Sequence, residues 1–392
     1  KYMNNSISPW PLFTQKEADA ISKVLLSNKV NYWTGNEGRQ FEKEFANWCE
    51  SNYAVAVANG TLALDLALKA LDISAGDEVI VTPRSFIASV SCVVNAGAIP
   101  VFADVDLNSG NITAKSIKTK VSDKTKAIIC VHLAGFPCEM DDIMQLAQEQ
   151  NLYVIEDCAQ AHGATYKGKS VGSIGHIGCW SFCQDKIMST GGEGGMVTTN
   201  DESLWRRMWE YKDHGKSYEA VYEREHPEGF KWLHESFGTN WRMTEMQSAI
   251  GRIQLGRMDN WHQKRKDNAQ EILNICARFP NVMRLSKIEN DIEHAWYKLN
   301  VYIRPEGLKD QWDRDRISDE INQLGIPCYS GSCAEIYLEK AFDNKFRPEK
   351  RLANAQELGK KTLMFLVHPT LTTNEIKNTC DAINKIMELA GK

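Results

Sequence analysis

The stretch 177-IGCWSFCQDKIMSTGGEGGMVTTN-200 contains two short apolar runs separated by one lysine and a group of glycines. The runs GCWSF (178–182) and GMVTTN (195–200) have the composition of buried strands, and Lys186 follows the first run by four residues. Most lysines are solvated surface charges. A lysine between a strand end and a glycine-rich loop is also a candidate for Schiff-base formation with an aldehyde cofactor and for proton transfer.

Similar apolar runs recur through the first half of the chain, at 53–58, 78–82, 100–105, 126–133 and 152–157. Most are continuously apolar rather than alternating, as expected for strands that are buried on both faces of a sheet. Helical patterns lie between them, at 61–71 and 140–150. This alternation of strands and helices predicts an α/β fold with a mainly parallel central sheet.

The pattern changes after about residue 240. Residues 243–279 predict one long helix, and the stretch 216–236 is charged and aromatic without a clear period, which is typical of a functional or interfacial loop. A strand at 296–303 and a helix at 374–389 then suggest a smaller α+β unit.

The chain has 392 residues, more than one hydrophobic core usually supports. We therefore expect two domains. The first, 1–250, would combine an N-terminal segment with the large cofactor-binding domain, and the second, 251–392, would be the small C-terminal domain.

The composition of the chain argues against several classes of protein. A net charge of −5 without a lysine or arginine block argues against nucleic-acid binding. No apolar run approaches the roughly 20 residues that span a bilayer, and the first residues lack the apolar core of a secretion signal, so we expect a cytoplasmic protein without membrane insertion. The eleven cysteines include no CxxC pair, which favours free thiols and predicts no metal site.

In an open α/β sheet, ligands bind beyond the carboxyl ends of the strands. Gly60 and Thr61 follow the first strand and open a helix, which is either an anion site or an ordinary strand–helix turn. Asp157 ends a buried strand, where it could cap a helix, form an ion pair or hold the protonated nitrogen of a pyridine ring. Ser181 offers a second hydroxyl for a phosphate. Phe86 could cover a planar ring or be an ordinary core or rim aromatic.

Together these motifs resemble the DegT/DnrJ/EryC1/StrS family of nucleotide-sugar aminotransferases, which have the pyridoxal phosphate fold type I, an aspartate aminotransferase-like architecture. The resemblance covers nearly the whole chain. Its motifs are TGNEGRQFEKEFA (34–46), NGTLALDLAL (59–68), EDCAQAHGA (156–164), WSFCQDK (180–186), GGEGG (191–195) and GTNWRMTEMQSAIG (238–251).

The resemblance implies pyridoxal 5'-phosphate as cofactor and a role for each matched residue. Lys186 would bind the cofactor covalently and Asp157 would pair with its pyridinium nitrogen; these are the two expected catalytic residues. The other cofactor-binding residues would be Gly60, Thr61, Leu62 and Ser181 around the phosphate, Phe86 on the ring, Gln160 near the ring hydroxyl, and Asn240 at the phosphate of the neighbouring subunit. The TPRSF segment around Phe86 is one residue shorter than the commoner family spacing. Because Asn240 would reach the phosphate of the neighbouring subunit, the resemblance also implies a homodimer with shared active sites.

A narrower resemblance concerns the substrate. The segments 8–35 and 181–201 are similar to aminotransferases of bacterial bacillosamine-type pathways, including those of pilin glycosylation. This implies amino transfer from L-glutamate to a UDP-linked 4-keto-6-deoxy-N-acetylhexosamine. Three alternatives remain open: a 3-keto-sugar aminotransferase, a pyridoxal-phosphate-dependent sugar dehydratase, and a non-catalytic regulator. Family members that dehydrate replace the lysine with histidine, so Lys186 favours amino transfer.

Overall fold

A computed structural model of the chain describes residues 7–343 and 345–392. Its strands are β1 Tyr53–Val57, β2 Glu78–Val81, β3 Ile99–Phe102, β4 Thr125–Val131, β5 Tyr153–Asp157, β6 Thr165–Tyr166, β7 Lys169–Ser170, β8 Ile177–Ser181, β9 Gly195–Thr199, β10 Met283–Arg284, β11 Ile292–Glu293, β12 Leu299–Ile303, β13 Cys328–Tyr329 and β14 Thr362–Phe365.

The helices are α1 Gln15–Leu26, α2 Glu37–Trp48, α3 Gly60–Ala70, α4 Ala88–Asn95, α5 Ala114–Lys118, α6 Met140–Gln150, α7 Glu202–Tyr211, α8 Tyr218–Tyr222, α9 Glu245–Leu255, α10 Met258–Cys276, α11 Arg314–Gln323, α12 Ala353–Lys361 and α13 Thr373–Ala390. Within the described residues, none of these helices combines the length and the apolar character needed to cross a membrane.

The central sheet has seven strands in the order β1-β9-β8-β5-β4-β2-β3. Within it, β9 is antiparallel to both of its neighbours and the other four pairs are parallel. Strands β5 and β8 are buried almost throughout, which agrees with the apolar character of both strands before their polar carboxyl ends. The predicted mainly parallel α/β fold is confirmed.

This topology brings several strand ends together. Because β9 is antiparallel to both β1 and β8, β1 runs in the same direction as β8 and the other parallel strands. The carboxyl ends of β1, β2, β5 and β8 therefore lie at one edge of the sheet. Ligands of open α/β folds bind at this edge.

A smaller antiparallel sheet, in the order β10-β12-β14-β13, lies in the C-terminal part and packs with α10, α11 and α13 around its own apolar core. The predicted domain boundary after residue 250 lies inside α9. That helix packs on α1 and α2, whereas α10 packs on α13. We propose Gly256, between α9 and α10, as the point of division.

Two predicted elements differ from the structure. The single helix expected over 243–279 is two helices, α9 and α10. Thr244 caps the start of α9 through a capping box with Gln247, and the helix is interrupted at Gly256, because glycine is a poor helix former. Arg257, just after this break, pairs with Glu17 of α1. The stretch 216–236 is not entirely a loop, because Ser217 caps the short helix α8.

Candidate active site

A cavity of about 620 Å³ opens at the carboxyl edge of the central sheet. Eight of the nine predicted site residues line it: Gly60, Thr61, Leu62, Phe86, Asp157, Gln160, Ser181 and Lys186. They come from the ends of β1, β2, β5 and β8, so the sheet topology alone explains why residues far apart in sequence meet here. The ninth, Asn240, is exposed and lies outside this cavity.

Lys186 is held by its backbone on both sides. Its N–H donates to the Cys183 carbonyl at 3.0 Å, and its carbonyl accepts from the Trp10 indole at 2.8 Å. Its side chain is 16% exposed, and its ammonium lies 3.5 Å from the Asp185 carboxylate. The amine therefore points into the cavity from a fixed piece of backbone.

The glycines after Lys186 serve the chain reversal between β8 and β9. Gly191 and Gly192 have positive φ angles of 92° and 125°, which other residues rarely adopt. A Cβ at Gly194 would lie 2.0 Å from the Thr190 hydroxyl oxygen, which itself donates to the Glu193 carbonyl. The glycine cluster therefore allows a tight turn that returns the chain to the sheet immediately after the lysine.

Asp157 ends β5 and is buried at the floor of the cavity. Its carboxylate accepts from the Ser89 hydroxyl at 2.7 Å and from the Ala159 N–H at 3.1 Å. Burial raises the pKa of this carboxyl, although these two hydrogen bonds oppose the increase. No Lys, Arg or His nitrogen of the described residues lies within 4.0 Å of it, so the anionic form is best stabilised by a cation from a ligand.

The N-terminus of α3 faces the same cavity. Gly60 packs so closely on Ser181 that a Cβ there would lie 2.6 Å from the serine Cβ. The first N–H groups of a helix have no partners within it, and with the hydroxyls of Thr61 and Ser181 they make an anion site. Leu62 was expected to bind the phosphate, but its backbone N–H donates to the side chain of the cap residue Asn59 at 2.9 Å.

Phe86 and Gln160 complete the cavity wall. Phe86 is 67% exposed, which is unusual for a phenylalanine and leaves its ring face free at the opening. The Gln160 side-chain oxygen accepts from the Ala134 N–H at 2.7 Å. No described residue accepts a hydrogen bond from the Gln160 amide nitrogen, so its two N–H donors are available for a ligand oxygen.

Some residues around the lysine were not predicted. The Tyr297 hydroxyl donates to Asp185, and the Lys186 ammonium lies 5.2 Å from the centre of the Tyr297 ring. Burial would raise the pKa of Asp185, but the Lys186 charge, the tyrosine hydroxyl and the Lys298 charge together contribute to holding that pKa below its usual value. Asp185 stands next to Lys186 in the sequence, whereas Tyr297 lies 112 residues from Asp185 and gave no local signal.

A buried cluster of His132, Glu156 and Cys158 has the spacing of a metal site within the described residues. However, Glu156 already accepts from Gly172 and Gly175 and bonds His132 at 2.9 Å. Gly172 and Gly175 belong to the loop that follows β7, so Glu156 holds this loop in place and we interpret the cluster as structural.

The cavity suits pyridoxal phosphate. It provides an anion site for a phosphate at α3, a buried carboxylate without a cation, an exposed aromatic ring and a lysine amine, all on its own wall. When bound, this cofactor supplies a ring that takes up the electron pair released at the substrate carbon. Asp157 would stabilise the protonated ring nitrogen, and Lys186 would hold and move the proton at the substrate carbon.

Comparison with known proteins agrees with this chemistry. The DegT/DnrJ/EryC1/StrS aminotransferase family matches residues 11–384. A GDP-perosamine synthase from Escherichia coli O157:H7 is 35% identical over 96% of each chain. A UDP-N-acetyl-3-dehydro-alpha-D-glucosamine 3-aminotransferase from Acidithiobacillus ferrooxidans is 42% identical over 94% of this chain and 92% of the relative.

The fold is shared as well. The crystal structure of an aminotransferase from Psychrobacter cryohalolentis superposes with a TM-score of 0.96 and is 66% identical, covering 98% of this chain and 99% of the other. The predicted fold type I architecture is thus confirmed. The chain therefore belongs to the DegT/DnrJ/EryC1/StrS family and is a pyridoxal-phosphate-dependent aminotransferase of nucleotide-linked sugars.

Proposed function

We propose that the enzyme transfers the amino group of L-glutamate to a UDP-linked 4-keto-6-deoxy-N-acetylhexosamine. The resemblance of the segments 8–35 and 181–201 to bacillosamine-type aminotransferases supports this sugar. The site offers room for a large substrate, because Lys186 lies where two cavities meet. The first is the cofactor cavity, and the second, of about 430 Å³, is bounded by Lys298, Tyr329 and Ser332 of the C-terminal part. A substrate in the second cavity, which does not include the phosphate-site residues, would present its reacting carbon to the lysine.

Each of three residues would have a separate role in the reaction. The Lys186 amine would take the proton from the α-carbon of the amino donor and later return one to the carbon of the sugar that receives nitrogen. Asp185 lies beside this amine and would stabilise its protonated form between the two transfers. Phe86 lies on both cavities and would separate the ring site from solvent.

A 3-keto sugar is the second candidate substrate, because the relative at 42% identity is a 3-aminotransferase. A dehydratase is less consistent with the site, since an amine rather than an imidazole stands at position 186. Either sugar product would serve bacterial glycan biosynthesis. For the 4-amino sugar we propose a bacillosamine-type pathway in the cytoplasm, including protein glycosylation.

The test is a panel of UDP-, TDP- and GDP-linked 3-keto and 4-keto sugars incubated with ¹⁵N-labelled L-glutamate. We expect NMR to place the label on C4 of the UDP-linked 6-deoxy-N-acetyl sugar. Label on C3, or a clear preference for a TDP- or GDP-linked sugar, would contradict the substrate assignment while leaving the aminotransferase chemistry intact.

We also propose a homodimer with shared active sites. The segment before Asn240 exposes three large aromatic side chains, Phe230 at 75%, Trp232 at 78% and Phe237 at 101%. Exposed apolar clusters of this kind mark interaction surfaces. A second copy of the chain, related by a two-fold axis, would cover these side chains and bring Asn240 to the partner's phosphate site.

A further inference from the structure

A second lysine, Lys298, faces the cavity that contains Lys186. It lines the 430 Å³ cavity together with Asp185, Lys186 and Tyr297. The backbone around it is fixed, because the N–H groups of Tyr297 and Lys298 both donate to the Ala134 carbonyl, at 3.0 and 3.4 Å. The position of Lys298 is therefore set by the fold rather than by a ligand.

The two lysines share one aromatic neighbour. The Lys298 ammonium lies 4.9 Å from the centre of the Tyr297 ring and the Lys186 ammonium lies 5.2 Å from it, so the two nitrogens are at most about 10 Å apart, the sum of these distances. Asp185 pairs with Lys186 and accepts from Tyr297. Within the described residues, no carboxylate oxygen lies within 4.0 Å of the Lys298 nitrogen.

A buried arginine adds positive charge behind this wall. Arg265 is 1% exposed, and its Nη1 donates to the carbonyls of Trp296 and Tyr297 at 3.3 and 3.4 Å. Its Nε and Nη2 have no hydrogen-bond partner in the described part of the chain. Burial, and then the Arg265 charge, lower the pKa of Lys298 to about 8, which still leaves it mostly protonated at pH 7.

The other charged groups of the cavity do not neutralise this wall. Asp185 carries one negative charge against Lys186, Lys298 and the buried Arg265, and the other carboxylate of the lining, Glu339, is exposed to solvent. An unpaired cation in a partly buried cavity is most stable with an anion beside it. The cavity is thus suited to a substrate that carries a carboxylate in addition to the group that reacts at Lys186.

We propose that Lys298 binds the side-chain carboxylate of the amino donor and selects a dicarboxylic amino acid over its neutral amide. This inference rests on the proposed donor, L-glutamate. The α-carboxylate is attached to the reacting carbon and must stay close to Lys186. The second carboxylate lies on the order of 5 Å from the amino nitrogen, given carbon–carbon bonds of about 1.5 Å, which suits the second lysine.

The experiment compares holoenzyme with Lys298→Met, Lys298→Arg and the control Lys377→Met, an exposed lysine of α13. The donor half-reaction is followed by the change in cofactor absorbance in a single turnover, with L-glutamate and with L-glutamine. We expect Lys298→Met to weaken apparent glutamate binding about ten- to hundredfold, as for loss of a hydrogen bond between charged groups. Glutamine should be little affected, Lys298→Arg should retain most of the binding, and the control should behave as wild type.

A second measurement does not depend on activity. Calorimetric titration of the holoenzyme with glutarate, a dicarboxylate without an amino group, should show binding to wild type and to Lys298→Arg but not to Lys298→Met. Equal losses for glutamate and glutamine, or an effect confined to the sugar half-reaction, would overturn the proposal. If wild type does not use glutamate at all, the proposed donor is wrong, and the glutarate titration still decides the role of Lys298.

Discussion

At the scale of single residues, the site depends on one amine whose surroundings hold it in place. The Lys186 backbone is fixed on both sides and its ammonium lies beside Asp185. A reactive group positioned in this way needs little rearrangement before reaction.

The first prediction follows from this arrangement. Lys186→Ala should reduce amino transfer by at least about a thousandfold, because general acid–base catalysis and cofactor attachment are both lost. The thermal midpoint should change little, since the side chain packs only at the cavity wall. Borohydride treatment of wild type, followed by peptide mapping, should place the reduced cofactor on the peptide containing Lys186. Label on another lysine would show that the assignment is wrong.

The second prediction concerns Asp157. Asp157→Asn keeps the shape of the side chain but removes the charge opposite the ring nitrogen, so we expect turnover to fall about ten- to hundredfold. Asp201→Asn is the matched control, because Asp201 caps α7 and asparagine caps a helix equally well. Circular dichroism should be unchanged for both variants. Turnover near wild type in Asp157→Asn would mean that the carboxylate is structural.

At the scale of elements, the N-terminal helix α1 is attached to the junction between α9 and α10 by a buried ion pair. Glu17 is 2% exposed and bonds Arg257 as well as the Gln254 amide, at 3.1 Å. Burial would raise the pKa of Glu17, but the hydrogen bond from Arg257 and those from Thr14 together outweigh it and lower that pKa to about 2.

The third prediction uses this pair. Glu17→Gln should destabilise the protein by about 1.5–3 kcal/mol at pH 7. Because the folded-state pKa is lowered, the contribution of Glu17 is present above the unfolded-state value of 4.5 and is lost as the pH falls toward 2. The difference in thermal midpoint between wild type and variant should therefore shrink below about pH 4.5. The exposed Asp19→Asn on the same helix should show no such difference, and a constant deficit at all pH values would contradict the interpretation.

Elements and site residues were predictable to different degrees for a physical reason. Strand-end residues such as Asp157 and Ser181 could be predicted because each follows an apolar run, and the edge they share follows from parallel topology. The division of the helix had one local signal, Gly256, but the contact of Arg257 just after it could not be predicted, because its partner Glu17 lies 240 residues away in sequence. The same holds for Tyr297 and Lys298, which reach the cavity only through the tertiary fold.

At the scale of the whole molecule, the proposed homodimer with shared sites rests on the exposed aromatic segment and on Asn240. Asn240 lies outside the cavity of its own chain, and the Arg242 N–H donates to its side-chain oxygen at 3.4 Å. A hydrogen bond to a charged phosphate is worth about 1.5–3 kcal/mol, so its loss should weaken cofactor retention without abolishing it.

The fourth prediction tests the shared site by mixing inactive Lys186→Ala chains with Asn240→Ala chains. In the mixed dimer, one site carries both changes and the other carries neither. After complete exchange of equal amounts, about a quarter of all sites should be intact, and activity should rise above the average of the two separate preparations. Sedimentation should also show that cofactor strengthens dimerisation. An active monomer, or no recovery after verified exchange, would contradict the shared-site proposal.

The distribution of thiols has a practical consequence. Nine of the eleven cysteines are buried; Cys183 and Cys333 are not. Cys183 lies on the cavity wall beside β8, and Cys333 belongs to the C-terminal wall that faces Lys186. Spin labels could therefore be attached to Cys183 and Cys333 of the native protein without replacing the buried cysteines. The distance distribution between the labels would show whether the separation of the two walls changes when a substrate binds.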